Sequence, residues 1–133
     1  MYPEEKHILV IDSQAPRQQH CERVLAAEGF AVTAVSEGFS AIRAVARGRF
    51  ALAVVAVDLP GTLDGLATLR QLRARQPWLK ALLTGDPACR PPRPDADRDD
   101  FIAEGFQAHE LRGCVFELLQ REPLFGSGRD LAG

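Results

Sequence analysis

The run Ala51-Leu-Ala-Val-Val-Ala-Val57 constrains this chain more than any other stretch. Seven small or branched apolar residues pass without a charge until Asp58, and the Pro60-Gly61 turn follows. Beyond the turn, leucines recur at helical spacing. A short, wholly apolar run of this kind has the pattern of a strand buried on both faces. Such a strand lies inside a parallel sheet with helices on either side. In that architecture ligands and chemistry collect beyond the carboxyl ends of the strands. Here that end is Ala56-Val57-Asp58.

The rest of the chain supplies the layers this strand requires. Ile8 to Ile11 reads as a buried strand ending at Asp12-Ser13. Pro16 suits a first helical turn, Cys21, Val24 and Leu25 share a face, and Gly29 is placed to end that helix. Phe30 to Val35 is a second strand. Gly38 to Arg47 is a helix with Ala41, Ile42 and Val45 inward and Gly48 as its stop. Asp64 to Arg75 is a helix with Leu66, Leu69 and Leu72 on its inner side, and Arg70, Arg73 and Arg75 are expected to be solvated. Leu79 to Thr84 is a fourth strand and Phe101 to Ala103 a short fifth. Ala108, Leu111, Val115 and Leu118 mark an amphipathic last helix, closed by Pro123.

Between the fourth and fifth strands the pattern breaks. Asp86 to Asp100 holds four prolines, three arginines and five aspartates. Prolines inside a helix remove donors and clash with preceding carbonyls, so a regular helix is not expected there. The expectation is a flavodoxin-like, doubly wound α/β domain with a five-stranded parallel sheet and a fourth helix eroded or absent. One domain spans 1–121, and 122–133, with three glycines and no periodicity, reads as a loose tail.

Composition narrows the function classes. A net charge of -2 and a pI near 5.9 argue against a dedicated nucleic-acid binder. Neither a signal peptide nor a transmembrane run is evident, so no membrane role is expected. Three widely spaced cysteines form neither a metal pair nor a disulfide framework, which fits the reducing cytoplasm. Cys21 and Cys114 fall near core faces, and Cys89, in the proline-rich loop, is the thiol expected to react.

Five landmarks in order carry a resemblance: Ile8-Leu-Val-Ile-Asp12, Gly38-Phe-Ser-Ala-Ile42, Pro60-Gly-Thr-Leu-Asp-Gly65, Leu82-Leu-Thr84 and the Leu111 helix. Together they resemble the receiver domain of two-component response regulators. The resemblance implies an aspartate phosphoacceptor at the end of the third strand, and two acids after the first strand that hold Mg²⁺. It also implies a Ser or Thr after the fourth strand and a Lys after the fifth. Mg²⁺ takes hard oxygen ligands, and the lysine and hydroxyl hold the phosphoryl oxygens.

Carried over position by position, the match is partial. Asp12 fits the first acid, Thr84 the hydroxyl and Phe101 an aromatic switch position. Ser13 stands where the second acid belongs, Ala56 where the phosphoacceptor belongs, and Glu104-Gly105 where the lysine belongs. Alanine has no oxygen to attack phosphorus, and Glu104 adds a negative charge where the phosphoryl group would sit. The expectation is a degenerate receiver, a pseudo-receiver that is not an enzyme. It signals by protein contact in a phosphorelay setting without Asp phosphorylation. A histidine kinase, another response regulator or a second copy is the expected partner.

Two alternatives accompany this reading. One is an atypical phosphoacceptor at Asp58 or Asp12; a two-residue shift along a strand moves a side chain by ~6.5 Å. The other is a small-molecule or nucleotide binder in the strand-end crevice, for which no glycine-rich loop speaks. No cofactor is expected, and Mg²⁺ is expected to bind at Asp12 weakly if at all. Because nothing cationic is evident beside Asp12, Asp58 and Glu104, Asp12→Asn is expected to raise stability by up to ~1 kcal/mol; a loss would instead mean that Asp12 has a partner, Arg17 or a metal. Phe106, Phe116 and Leu119 cannot all share the inward stripe of the last helix, so Phe106 and Phe116, with Phe101 beside the proline-rich loop, are the interface candidates.

Overall fold

The computed structural model describes residues 6–91 and 98–121. In chain order the elements are β1 (His7–Ile11), α1 (Ala15–Ala27), β2 (Ala31–Val35), α2 (Gly38–Arg47), β3 (Leu52–Ala56), α3 (Gly65–Arg75), β4 (Lys80–Gly85), β5 (Asp99–Ala103) and α4 (Ala108–Gln120). All strand pairs are parallel, in the order β2-β1-β3-β4-β5. The expected flavodoxin-like sheet is therefore present, with the charge-free run as its central strand. Every residue of β3 is buried, because helices cover both faces.

Alternation within the strands sorts the core into two layers. Leu9, Ile11, Ala53, Val55, Ala81 and Leu83 pack under α2 and α3 with Ala41, Val45, Leu69 and Leu72. Ile8, Val10, Leu52, Val54 and Leu82 pack under α1 and α4 with Cys21, Leu25, Leu111, Val115 and Leu118. Burying one leucine-sized side chain contributes about 2 kcal/mol, so both layers matter to stability.

The connection from β4 to β5 holds a three-residue 3-10 turn, Pro87–Cys89, among the described residues. Asp86 caps that turn by accepting from the Ala88 amide (2.8 Å). Residues 92–97, and the tail beyond 121, lie outside the described residues. Four α-helices are present among the described residues; the one numbered α4 here is the amphipathic helix expected near the C-terminus.

Three details differ from the expectations. Leu66 is exposed, in the first turn of α3, while Leu69 and Leu72 of the same helix are buried. Strand β5 starts at Asp99, two residues earlier than the apolar pattern marks. The reason is Arg73, which is not merely solvated: it pairs with Asp99 at 2.5 Å and donates to the Leu79 carbonyl at 2.9 Å. That ion pair lets an acidic residue begin a sheet strand.

Candidate functional site

The carboxyl ends of β1, β3, β4 and β5 converge on one crevice. Its floor is apolar. Ala56 is 1% exposed and stands opposite Thr84 in the β3–β4 register, and Thr84 is buried as well. The chain leaves β3 directly after Ala56. Gly65, the first residue of α3, lies so close that a Cβ there would fall 2.2 Å from the Ala56 carbonyl oxygen. Only glycine permits this approach, and it holds the start of α3 against the end of β3.

Asp12 directly follows β1 and is 3% exposed. Its Oδ1 accepts from the Gln14 amide at 2.9 Å, satisfying a donor at the start of α1. Arg17, just inside α1, grips the same carboxylate with two donors. Its Nε lies 2.5 Å from Oδ2, and its Nη2 lies 3.0 Å from Oδ1. This is the forked geometry that makes arginine–carboxylate pairs strong.

The guanidinium reaches two further acids. Nη2 lies 3.2 Å from Asp58 Oδ1, and Nη1 lies 3.4 Å from Glu104 Oε2. Asp58 belongs to the β3–α3 loop and Glu104 follows β5. The left-handed Gly105 (φ 89°) then turns the chain toward α4. One cation thus ties together groups from three strand ends. Its pKa is raised, first by the hydrogen bond to Asp12 and then by the charges of Asp12, Asp58 and Glu104, against the opposing effect of burial.

The structure therefore brings together Asp12, Asp58 and Glu104, with Ala56 and Thr84 beneath them. Ser13 is exposed and takes no part in these bonds. Arg17 is absent from the expected site residues, and stands in the sequence reading only as the partner that a destabilising Asp12→Asn would reveal. Its signal was available: it lies one turn into a helix whose first proline is Pro16, five residues beyond Asp12. The expectation that nothing cationic offsets the acids is corrected, and the Arg17 contacts argue against a stabilising Asp12→Asn.

These residues do not fit Mg²⁺. Asp12 has both oxygens engaged by Arg17 and Gln14, Ser13 is neutral, and Ala56 offers no donor atom. The guanidinium stands between the carboxylates an ion would have to bridge. Among the described residues no group of three His, Cys, Asp or Glu is placed to hold a metal.

The aromatic candidates separate. Phe101 is buried, with Arg90 over its ring at 4.7 Å. Phe106 is buried against His20, whose ring centroid is 5.7 Å away. Both face the core, Phe101 in the layer under α2 and α3 and Phe106 in the layer under α1 and α4, so neither is an exposed anchor. Phe116 is 39% exposed on the outer side of α4 and leans on Phe30 at 5.8 Å. Of the thiols, Cys89 is exposed, Cys114 is half-buried with its pKa raised chiefly by burial, and Cys21 is buried with its pKa pushed up to about 12.

Against known proteins, a family model described as "Response regulator receiver domain" matches residues 8–114. The "Transcriptional regulatory protein TcrA" of Mycobacterium tuberculosis is 30% identical over 120 residues, spanning 88% of this chain and 47% of its own length. The "Transcriptional regulatory protein TctD" of Salmonella typhimurium is 33% identical over 103 residues, spanning 75% of this chain and 46% of its own. The chain thus spans about half the length of these curated relatives. Among solved structures, a response regulator receiver protein from Sinorhizobium medicae superimposes with a TM-score of 0.75 at 28% identity, covering 87% of this chain and 96% of that one. No described helix is long and apolar enough to cross a membrane.

Proposed function

This chain belongs to the response regulator receiver domain family, and on that premise we propose that it is a pseudo-receiver, which signals by protein contact without accepting a phosphoryl group. One observation carries the reading. Arg17 holds Asp12, Asp58 and Glu104 over a phosphoacceptor position that is Ala56. A receiver that turns over phosphoryl groups needs an oxygen nucleophile and a cation that can come and go. Here the nucleophile position carries a methyl group, and the cation is part of the chain.

The domain is a binding module rather than an enzyme, needs no cofactor and acts in the cytoplasm. Its partner is a histidine kinase, another response regulator or a second copy, not a nucleic acid. The outer side of α4 around Phe116 is the contact surface supported by exposure. Asp58 is not the acceptor in this reading, because it lies outside β3 and is paired with Arg17.

The test is mass spectrometry of the intact chain after incubation with acetyl phosphate and Mg²⁺, beside a phosphorylatable receiver as a positive control. No phosphoryl adduct is expected on this chain. An adduct mapped to Asp58 or Asp12 would establish the atypical acceptor instead.

A further inference from the structure

Among the described residues strand β2 lies at the end of the sheet and pairs with β1 alone. A strand paired on one side presents every second peptide group outward. The Val35 carbonyl accepts from the Asp12 amide at 3.1 Å, on the β1 side. By alternation, Val32 and Ala34 turn their N–H and C=O groups to the open side.

A groove of about 430 Å³ lies beside this strand on the side of α2, lined also by His7, Gly48 and Arg49. Thr33, Val35 and the buried ring of Phe50 form its floor. Its wall is one face of α2, in which Ser40, Arg43, Ala44 and Arg47 follow one another at intervals of three, one and three residues. Among the described residues no Asp or Glu lines it. Arg43 donates to Ser40 Oγ at 3.1 Å, and neither Arg43 nor Arg47 has a carboxylate partner among the described residues. Both are exposed.

The spacing of the two arginines matches a strand. Arg43 and Arg47 are four residues apart on a helix, a rise of about 6 Å. Alternate side chains of an added strand recur every ~6.5 Å. A chain laid along β2 would therefore set every second side chain against one arginine after the other.

We propose that this groove docks an extended acidic segment of a partner protein, which adds to the sheet as a strand beside β2 and sets alternate carboxylates against Arg43 and Arg47. Main-chain bonds to Val32 and Ala34 supply the alignment, and the arginines supply the preference for acids. A nucleic acid could use the charge but not the directional peptide groups of the edge. The proposal does not draw on the strand-end crevice, so its failure leaves the pseudo-receiver reading standing.

A short labelled peptide of alternating glutamate and valine is the probe. Fluorescence anisotropy should show saturable binding that weakens as salt is raised. Hydrogen exchange on the wild-type chain should slow at the Val32 and Ala34 amides when the peptide is present. The double variant Arg43→Glu, Arg47→Glu should bind at least about tenfold more weakly, with an unchanged circular dichroism spectrum. Absence of saturation, binding that leaves both amides exchanging as in the free protein, or equal binding by the folded double variant would overturn the proposal. So would a single-stranded oligonucleotide that displaces the peptide and binds more tightly.

Discussion

Arg17 meets a carboxylate that is almost fully buried, Asp12, and two that are about half exposed, Asp58 and Glu104. The three contacts do not weigh equally. Exposed pairs contribute ~0–1 kcal/mol, whereas removing one member of a buried pair leaves an uncompensated charge and costs several kcal/mol. Arg17→Ala is therefore expected to destabilise the domain by about 2–3 kcal/mol, since Arg17 itself is only partly buried. Asp12→Asn should also lower stability, by about 1–2 kcal/mol, because the amide keeps the bond from Gln14 but loses the forked ion pair. Urea unfolding of the two variants and of Asp58→Asn checks this order. An unchanged or raised midpoint for Asp12→Asn would show that the ion pair contributes nothing and would restore the repulsion argument.

At the scale of an element, α4 is secured at both ends. At its start, Glu110 Oε1 accepts from the Gln107 amide at 2.8 Å. At its end, Lys80 Nζ donates to the Leu118 and Arg121 carbonyls at 2.6 and 2.5 Å. The Lys80 ammonium has its pKa lowered, first by burial and then by Arg121. A helix held this way keeps its place when one outward side chain is trimmed. Phe116→Ala should leave the domain folded, with a loss of about 1 kcal/mol from the contact with Phe30. If the outer side of α4 is the partner surface, association should weaken by ~1–3 kcal/mol. Sedimentation or pull-down with circular dichroism alongside measures both effects. A folded variant with undiminished association would move the partner site off α4.

For the whole molecule, the titration of one buried thiol sets a pH limit. Burial is the main cause that lifts Cys21 from 9.0 to about 12, helped by Asp12 and opposed by Arg17. The folded-state pKa is raised, so the native state holds the proton more tightly than the unfolded chain. The contribution is fully present below pH 9.0 and is lost as pH rises from there toward 12. In that window the slope from this group is at most about 1.4 kcal/mol per pH unit. Urea midpoints of the wild type and Cys21→Ala, followed from pH 8 to about 10.5, isolate it, because all other groups are common to both proteins. The wild type should lose stability more steeply above pH 9; parallel curves would show that Cys21 does not carry the effect.

What the sequence determined by itself is what local pattern encodes. The charge-free β3, the leucine and valine spacings of α3 and α4, and the prolines after Asp86 each depend on neighbours a few residues away. Those signals were enough for the parallel sheet and the order of its elements. Element ends were less legible where a distant ion pair decides them, as Arg73 does for Asp99. The site's electrostatics were legible only in part. Asp12, Asp58 and Glu104 could each be named, yet Arg17 joins them across 41 and 87 residues of chain. Whether three acids repel one another or share a cation depends on where α1 lays one side chain over the strand ends. That position follows from how the helix packs on the sheet, so tertiary structure alone decided it.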